Sequence, residues 1–175
     1  MDVPPVWSER LELASMSAAL IAALLEGDVS AARGELDVEL PDDFVFDQEH
    51  VLRLRLDQMR ADPSVQPWLL RVMIPRHGPR TALGRIGFHG PPDAGRRVEV
   101  GYTVLAAHRN QGLATEACRA MFAWAHDVHG VTRFRASVSP ANGPSLSVVR
   151  KLGFRQTGVQ WDEIDGEELV FERDL

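Results

Sequence analysis

Arg109-Asn110-Gln111-Gly112-Leu113-Ala114 follows a strand-like run from Val98 to Leu105 and leads into a helix-like run from Thr115 to Val128. A strand, a tight glycine turn and a helix start together make an anion site. The first amides of a helix have no intrahelical partner and point outward along the positive end of its dipole. Gly112 lets the backbone come close, and Arg109 supplies a cation at the turn. The plainer reading is a glycine that only relieves crowding at a connection. No Gly-Lys-Ser/Thr follows, which excludes the P-loop of nucleotide hydrolases, and the spacing is not the dinucleotide-binding G-x-G-x-x-G. If the turn binds a ligand, that ligand is a different phosphate-bearing molecule. Elsewhere, the lone Cys118 lies inside the following helix and reads as an inert, buried thiol rather than a nucleophile. No Cys or His pair has metal-ligand spacing, so no metal is expected.

These residues must be positioned by elements that the rest of the chain supplies. With 175 residues, of which 45% are hydrophobic, the chain reads as one domain with a sizeable core. One cysteine cannot form an intrachain disulfide, and no charged-then-apolar leader is seen at the start, so a reducing, cytoplasmic setting is expected. Apolar runs such as Ala18 to Leu25 fall well short of the ~20 residues that span a bilayer, so no membrane association is expected. A formal charge of −6 opposes a nucleic-acid backbone and favours cationic small molecules or peptides.

Glu9 to Leu13 alternates as a half-buried strand, with Ser15 or Ser17 capping a helix through Leu25 that Gly27 ends. A turn at Pro41-Asp42-Asp43 precedes a helix from Gln48 to Met59, broken by Asp62-Pro63. Trp68 to Ile74, Ala82 to His89 and Val98 to Leu105 read as three strands of an antiparallel meander. Gly84 and Gly87 signal a bulge or a close backbone approach. Leu113, Ala117, Met121, Trp124 and Val128 recur at helical spacing as a core stripe. Phe134 to Val138 returns as a strand, Pro144 opens a helix and Gly153 suits its C-cap. Val159 to Ile164 and Glu167 to Phe171 flank Asp165-Gly166, a two-residue hairpin turn. The expected fold is α+β, one mixed and mostly antiparallel sheet with helices on both faces.

The turn resembles the acetyl-coenzyme A motif of the GCN5-related N-acetyltransferase (GNAT) family, Gln/Arg-x-x-Gly-x-Gly/Ala, which Arg109 to Ala114 matches. Asn142-Gly143-Pro144-Ser145 followed by Lys151-Leu152-Gly153-Phe154 resembles a segment of the RimJ/RimL-type subgroup, which acetylates ribosomal-protein N-termini. The resemblance implies a splayed strand pair at the cofactor site, with backbone groups of Val104, Leu105 and Ala106 along the pantetheine arm. It also implies that amides of the turn, from Arg109 through Asn110, Gln111, Gly112, Leu113 and Ala114 to Thr115, hold the pyrophosphate. Asn142 and Ser145 would then lie near the pantetheine and the sulfur. The donor implied is acetyl-coenzyme A, and the acceptor is a primary amine of a small molecule or a peptide N-terminus.

Acetyl transfer needs a neutral amine, a polarised thioester carbonyl and a proton for the departing thiolate. Glu99, on the strand leading to the turn, is the first candidate base; the alternative is a surface carboxylate paired with Arg96 or Arg97. His89 is the other candidate base, because an unperturbed imidazole titrates near neutral pH. A water relay is the third. A backbone amide at Val104 or its neighbour could polarise the carbonyl. Many relatives protonate the thiolate with a helix tyrosine, but Val149 occupies that position here, leaving Ser145 or water. Ser145 has an equal reading as a residue that caps the helix start. The acidic closing hairpin could steer a cationic amine or simply be a solvated, charged edge. An exposed sheet edge could support a homodimer. A non-catalytic acyl-coenzyme A sensor is the competing function.

Overall fold

The computed structural model describes residues 3–45, 49–164 and 166–175. Its strands are β1 (Val6–Trp7), β2 (Leu11–Ser15), β3 (Arg71–Pro75), β4 (Gly84–Phe88), β5 (Arg97–Val104), β6 (Arg133–Val138), β7 (Arg155–Asp162) and β8 (Gly166–Asp174). They form one sheet in the order β1-β2-β3-β4-β5-β6-β8-β7. Every neighbouring pair is antiparallel except β5 and β6. That parallel pair needs a crossover, which α4 (Leu113–His129) supplies. The other helices are α1 (Ala18–Glu26), α2 (Val29–Glu35), α3 (Glu49–Ala61) and α5 (Gly143–Lys151).

The sheet separates two apolar clusters, which is why alternation along its strands decides where each side chain ends up. On one face Ile86, Phe88, Val98, Val100 and Phe134 pack under α4 and α5. On the other, Val72 and Ile74 pack against Leu20 and Ile21 of α1 and against Leu52 and Leu56 of α3. The meander of β3, β4 and β5 follows the sequence reading. The glycines of β4 mark close backbone approach: a Cβ on Gly87 would sit 2.4 Å from the Leu69 carbonyl oxygen, and one on Gly84 would sit 2.2 Å from that of Thr103.

Ser17, rather than Ser15, caps α1, accepting from the Leu20 amide at 3.0 Å. Gly27 ends it in the left-handed region at φ 73°. The short helix α2, capped by Asp28 at the Ala31 amide (2.9 Å), was not anticipated from the sequence. On α4 the buried stripe runs Leu113, Ala117, Cys118, Met121, Phe122 and Ala125. Val128, expected in that stripe, is 63% exposed because the true 3.6-residue period carries it off the sheet. Gln48, expected to start the helix that is observed as α3, and Asp165, expected in the closing turn, lie outside the described residues. No helix among the described residues is long and apolar enough to cross a membrane.

Candidate acyl-donor and acceptor site

The one parallel pair among the described strands is also where the sheet opens. β5 and β6 pair at Arg97 with Arg133, Val98 with Phe134 and Glu99 with Arg135, and the ladder stops there. β5 continues to Val104 against β4 alone. The His89 amide donates to the Glu99 carbonyl (2.8 Å) and the Leu105 amide to the Leu83 carbonyl (3.0 Å). Odd-numbered residues of β5 therefore turn their peptide groups toward β4. Even-numbered ones, Tyr102 and Val104, turn theirs into the gap that β6 has left. The resemblance implied backbone groups of Val104, Leu105 and Ala106 along the donor arm. Val104 faces the gap, but Leu105 spends its amide on Leu83 and buries its side chain in the second core, and Ala106 enters a 3₁₀ turn from Ala106 to His108.

The chain then reverses through Asn110 (φ 62°) and Gly112 (φ 78°), both left-handed, which aims the start of α4 at the gap. The first helix amide with a main-chain acceptor is that of Glu116, bonded to the Gly112 carbonyl at 3.0 Å. Among the described residues the preceding amides from Gly112 to Thr115 have no main-chain acceptor, and they stand at the positive end of a helix from Leu113 to His129. Arg109 folds back and donates from Nε to the Val104 carbonyl (3.1 Å), tying turn to strand. Arg10, from the β1–β2 turn, braces the other side by donating to the Gln111 carbonyl (3.1 Å) and to Glu116 (2.6 Å).

Between the gap, the turn and α5 lies a cleft of about 690 Å³, a size suited to a sizeable cofactor arm. Val104, Arg109, Asn110, Gly112, Leu113, Ala114 and Thr115 line it, as do Asn142 and Ser145. Gln111 does not; its carbonyl accepts from Arg10 on the other side of the turn. A second hollow of about 740 Å³ adjoins the turn through Gly112, Thr115 and Lys151, with Arg10 and Arg119 in its wall. Asn142 caps α5, its side-chain oxygen accepting from the Ser145 amide (3.1 Å). Ser145 is therefore the capped residue and not the cap, and its hydroxyl is left to face the cleft. Val149 is buried at 1% exposure and offers no polar group.

One cleft residue was missed by sequence reasoning. Tyr102, the chain's single tyrosine, lines the cleft beside Ser145, and its hydroxyl oxygen is closed off from solvent with the Ser145 hydroxyl as its polar neighbour. Burial pushes this phenol well above its ordinary range, Cys118 adds to the rise, and the facing Ser145 hydroxyl opposes it weakly. Its place could not be read from the sequence, because it follows from where β6 stops pairing with β5.

Glu99 lies on the opposite face of β5. It is not paired with Arg96 or Arg97; Arg97 is engaged by Asp93 and Glu172. Its carboxylate instead accepts from the Ser137 hydroxyl (2.6 Å), and Arg135 stands 3.5 Å away. Gln160 donates to Ser137 (3.1 Å) and to Glu168 (2.8 Å), which joins the closing hairpin to the same network. Arg135 also donates to Gln160. His89 Nδ1 is 3.9 Å from Glu99, with 48% of its side chain still open to solvent. The protein packed around the ring lowers its pKa, Glu99 opposes this, and the guanidiniums of Arg55 and Arg135 add to it. A neutral imidazole and a carboxylate thus stand together at the mouth of the strand gap. Cys118 is fully buried, and burial pushes its thiol far up, so it is no nucleophile. Among the described residues no group of three or more His, Cys, Asp or Glu side chains is placed to hold a metal.

Residues 17–155 match the Acetyltransferase (GNAT) domain family. The uncharacterized N-acetyltransferase YoaA of Bacillus subtilis (strain 168) is 31% identical over 90 residues, which is 51% of this chain. The chain spans about half (51%) of the length of YoaA. YjdG, an uncharacterized N-acetyltransferase of the same organism, is 26% identical over 150 residues, covering 84% of this chain and 87% of YjdG. Among solved structures, the ribosomal L7/L12 alpha-N-protein acetyltransferase RimL in complex with coenzyme A superposes with a TM-score of 0.66 over 98% of both chains. At 14% identity that likeness concerns the fold. With a family match over most of its length and a parallel strand pair that parts beside a glycine-capped helix, the chain belongs to the acetyltransferase (GNAT) family.

Proposed function

We propose that this acetyltransferase moves an acetyl group from acetyl-coenzyme A directly to a primary amine, that of a peptide N-terminus or a small molecule. The observation that carries the reading is the strand gap. The Tyr102 peptide group and the Val104 amide face it without a strand partner, the Val104 carbonyl being taken by Arg109, and the amides at the start of α4 lie at one end. A pantetheine arm has amide groups that complete such a ladder, and a pyrophosphate is the anion that a helix start accepts.

In this reading the amine approaches from the face of Glu99 and His89, opposite the donor's thiol end at Tyr102 and Ser145. Glu99 takes the proton that the attacking nitrogen sheds, directly or through a water, and Ser137 and Arg135 orient it. The Val104 amide, facing the gap, is the candidate donor to the thioester carbonyl. Ser145, at the cleft, relays a proton to the thiolate as it leaves. A direct transfer needs no acyl-enzyme, which agrees with the inert Cys118. A protein N-terminus as acceptor is favoured by the likeness to RimL and by the acidic hairpin at Glu167 and Glu168, and a cytoplasmic location by the reduced, buried cysteine.

The test is to incubate the purified protein with acetyl-coenzyme A and a panel of amines and N-terminal peptides, following free thiol and the acetylated product by mass spectrometry. Turnover with at least one amine is expected; cofactor binding without turnover on a broad panel would favour the sensor. Gly112→Asp is expected to abolish acetyl-coenzyme A binding, because its left-handed backbone disfavours a side chain and the new carboxylate opposes the pyrophosphate. Binding that survives the change would move the donor site elsewhere.

A further inference from the structure

We propose that Gln160 is a positioning residue for acetyl transfer, whose side-chain amide holds the Ser137 hydroxyl in the orientation that donates to Glu99. The inference rests on the acetyl-transfer reading above, with Glu99 as base, and adds a residue from the far edge of the sheet. Gln160 lies on β7, separated from β6 by β8, and its side chain crosses β8 to reach Ser137 at 3.1 Å. On that face Val170 stands opposite Ser137 and Gly158 opposite Val170, so no long side chain lies in the path. The neighbours of the amide decide which end is oxygen. One end meets the Arg135 guanidinium, which can only donate, and is therefore the oxygen. The other donates to the Glu168 carboxylate at 2.8 Å and is therefore the nitrogen. The second hydrogen on that nitrogen goes to the Ser137 oxygen. The Ser137 hydrogen cannot then point at Gln160, and it goes to Glu99 at 2.6 Å.

The hydrogen bonds from Gln160 to Ser137 and from Ser137 to Glu99 thus run in one direction and end on a carboxylate that must accept. That favours the ionised form, the one able to take a proton from an amine. The charged and titratable groups facing Glu99 are His89 from β4 at 3.9 Å, Arg55 from α3 and Arg135 from β6 at 3.5 Å, with Glu168 of β8 beyond Gln160 and Asp162 of β7 acting on His89. In the reaction the amine nitrogen bonds to the acetyl carbon and its surplus proton goes to Glu99. The carbon–sulfur bond breaks with its electron pair on sulfur, which solvent protonates. Gln160 exchanges no proton and touches no reacting atom; it acts through Ser137. Gln160→Glu reverses the direction, because a carboxylate there accepts from Ser137 and draws the hydroxyl away from Glu99. Gln160→Met removes the amide and keeps a side chain of similar length.

The experiment records the pH dependence of single-turnover acetyl transfer, with an amine or N-terminal peptide that the wild type acetylates, in the wild type, Ser137→Ala, Gln160→Met, Gln160→Glu and Glu99→Gln. Thermal unfolding and acetyl-coenzyme A affinity are measured beside it, and the Glu99 carboxyl is titrated by carbon NMR in the acceptor-free protein. Gln160→Glu and Ser137→Ala should move the acid limb up by about one pH unit, so that transfer is about tenfold slower on that limb and close to wild type on the plateau. Gln160→Met should do the same by a smaller amount. Acetyl-coenzyme A affinity and the unfolding midpoint should stay nearly unchanged. A Gln160→Glu profile that overlays the wild type while Glu99→Gln is slow would overturn the proposal, as would a loss that is equal at every pH. Wild-type turnover in Glu99→Gln would instead remove Glu99 as the base. If no amine is acetylated at all, the acetyl-transfer reading falls, and the NMR titration still decides whether Gln160 acts on Glu99: a carboxyl that titrates alike in Gln160→Glu and the wild type refutes it.

Discussion

Glu99 and Tyr102 stand three positions apart on β5, so pleat alternation sends one to each face of the sheet. That parity puts the carboxylate and the phenol on opposite faces of the sheet beside the strand gap. The carboxylate is fixed by Ser137 at 2.6 Å, so its role is open to an isosteric test. Glu99→Gln is expected to lower turnover by roughly 10² to 10⁴-fold while leaving acetyl-coenzyme A affinity intact, as measured by steady-state kinetics and calorimetry. Unchanged turnover would pass the role to His89, the other group at the mouth. The motif at Arg109 to Ala114 was legible because a left-handed glycine before a helix needs only local sequence. Tyr102 was not, because its value depends on which side of β5 lost its partner, and that is a property of β6.

The donor turn is held at the level of elements by a strap between β1–β2 and α4. Glu116 accepts from the Ser8 hydroxyl (2.7 Å), the Arg10 amide (2.7 Å) and the Arg10 guanidinium (2.6 Å). Partial burial would raise the pKa of this carboxyl, but those donors outweigh it and the pKa lies below the ordinary 4.5. A carboxylate whose pKa falls on folding adds stability that is complete above its unfolded value and is lost as pH falls through the folded one. Glu116→Ala is therefore expected to cost about 1–3 kcal/mol at neutral pH and to flatten stability below about pH 4.5, as read by urea melts across pH. It should also loosen acetyl-coenzyme A binding, because Arg10 then loses its anchor beside Gln111. At Gly87 the Cβ of Ala would lie 2.4 Å from the Leu69 carbonyl, so Gly87→Ala is expected to destabilise by at least ~1–3 kcal/mol, a clash that thermal unfolding would register. The element that sequence reasoning missed, α2, is short and has one buried residue, Ala32, so its periodicity carried almost no signal.

For the whole molecule, one sheet shared by two cores makes the halves interdependent. Phe122→Ala in the α4 core and Leu52→Ala in the α3 core should each cost about 2–5 kcal/mol and shift one common unfolding midpoint, followed by tryptophan fluorescence from Trp68 and Trp124 and by circular dichroism. Separate transitions for the two probes would show that the cores unfold independently. Two histidines set the acid side of stability. The surrounding protein pushes both His89 and His129 below the ordinary 6.5, the latter beside the Trp68 and Trp124 rings. The unfolded chain then binds more protons between the folded and unfolded values, so stability should rise with pH through that window and level off above about 6.5. Replacing both by Gln should remove that slope.

The sequence by itself determined the strand, turn and helix order around Gly112, the meander before it, the helix that opens at Pro144 and the family likeness, since each rests on contacts between near neighbours or on a contiguous pattern. Only the tertiary structure decided which peptide groups of β5 face the gap, that Leu105 turns away while Tyr102 turns in, and that Glu99 belongs with Ser137 and Arg135 instead of its own neighbours Arg96 and Arg97. The physical reason is that these assignments depend on where a parallel partner, reached only after a crossover helix, stops pairing.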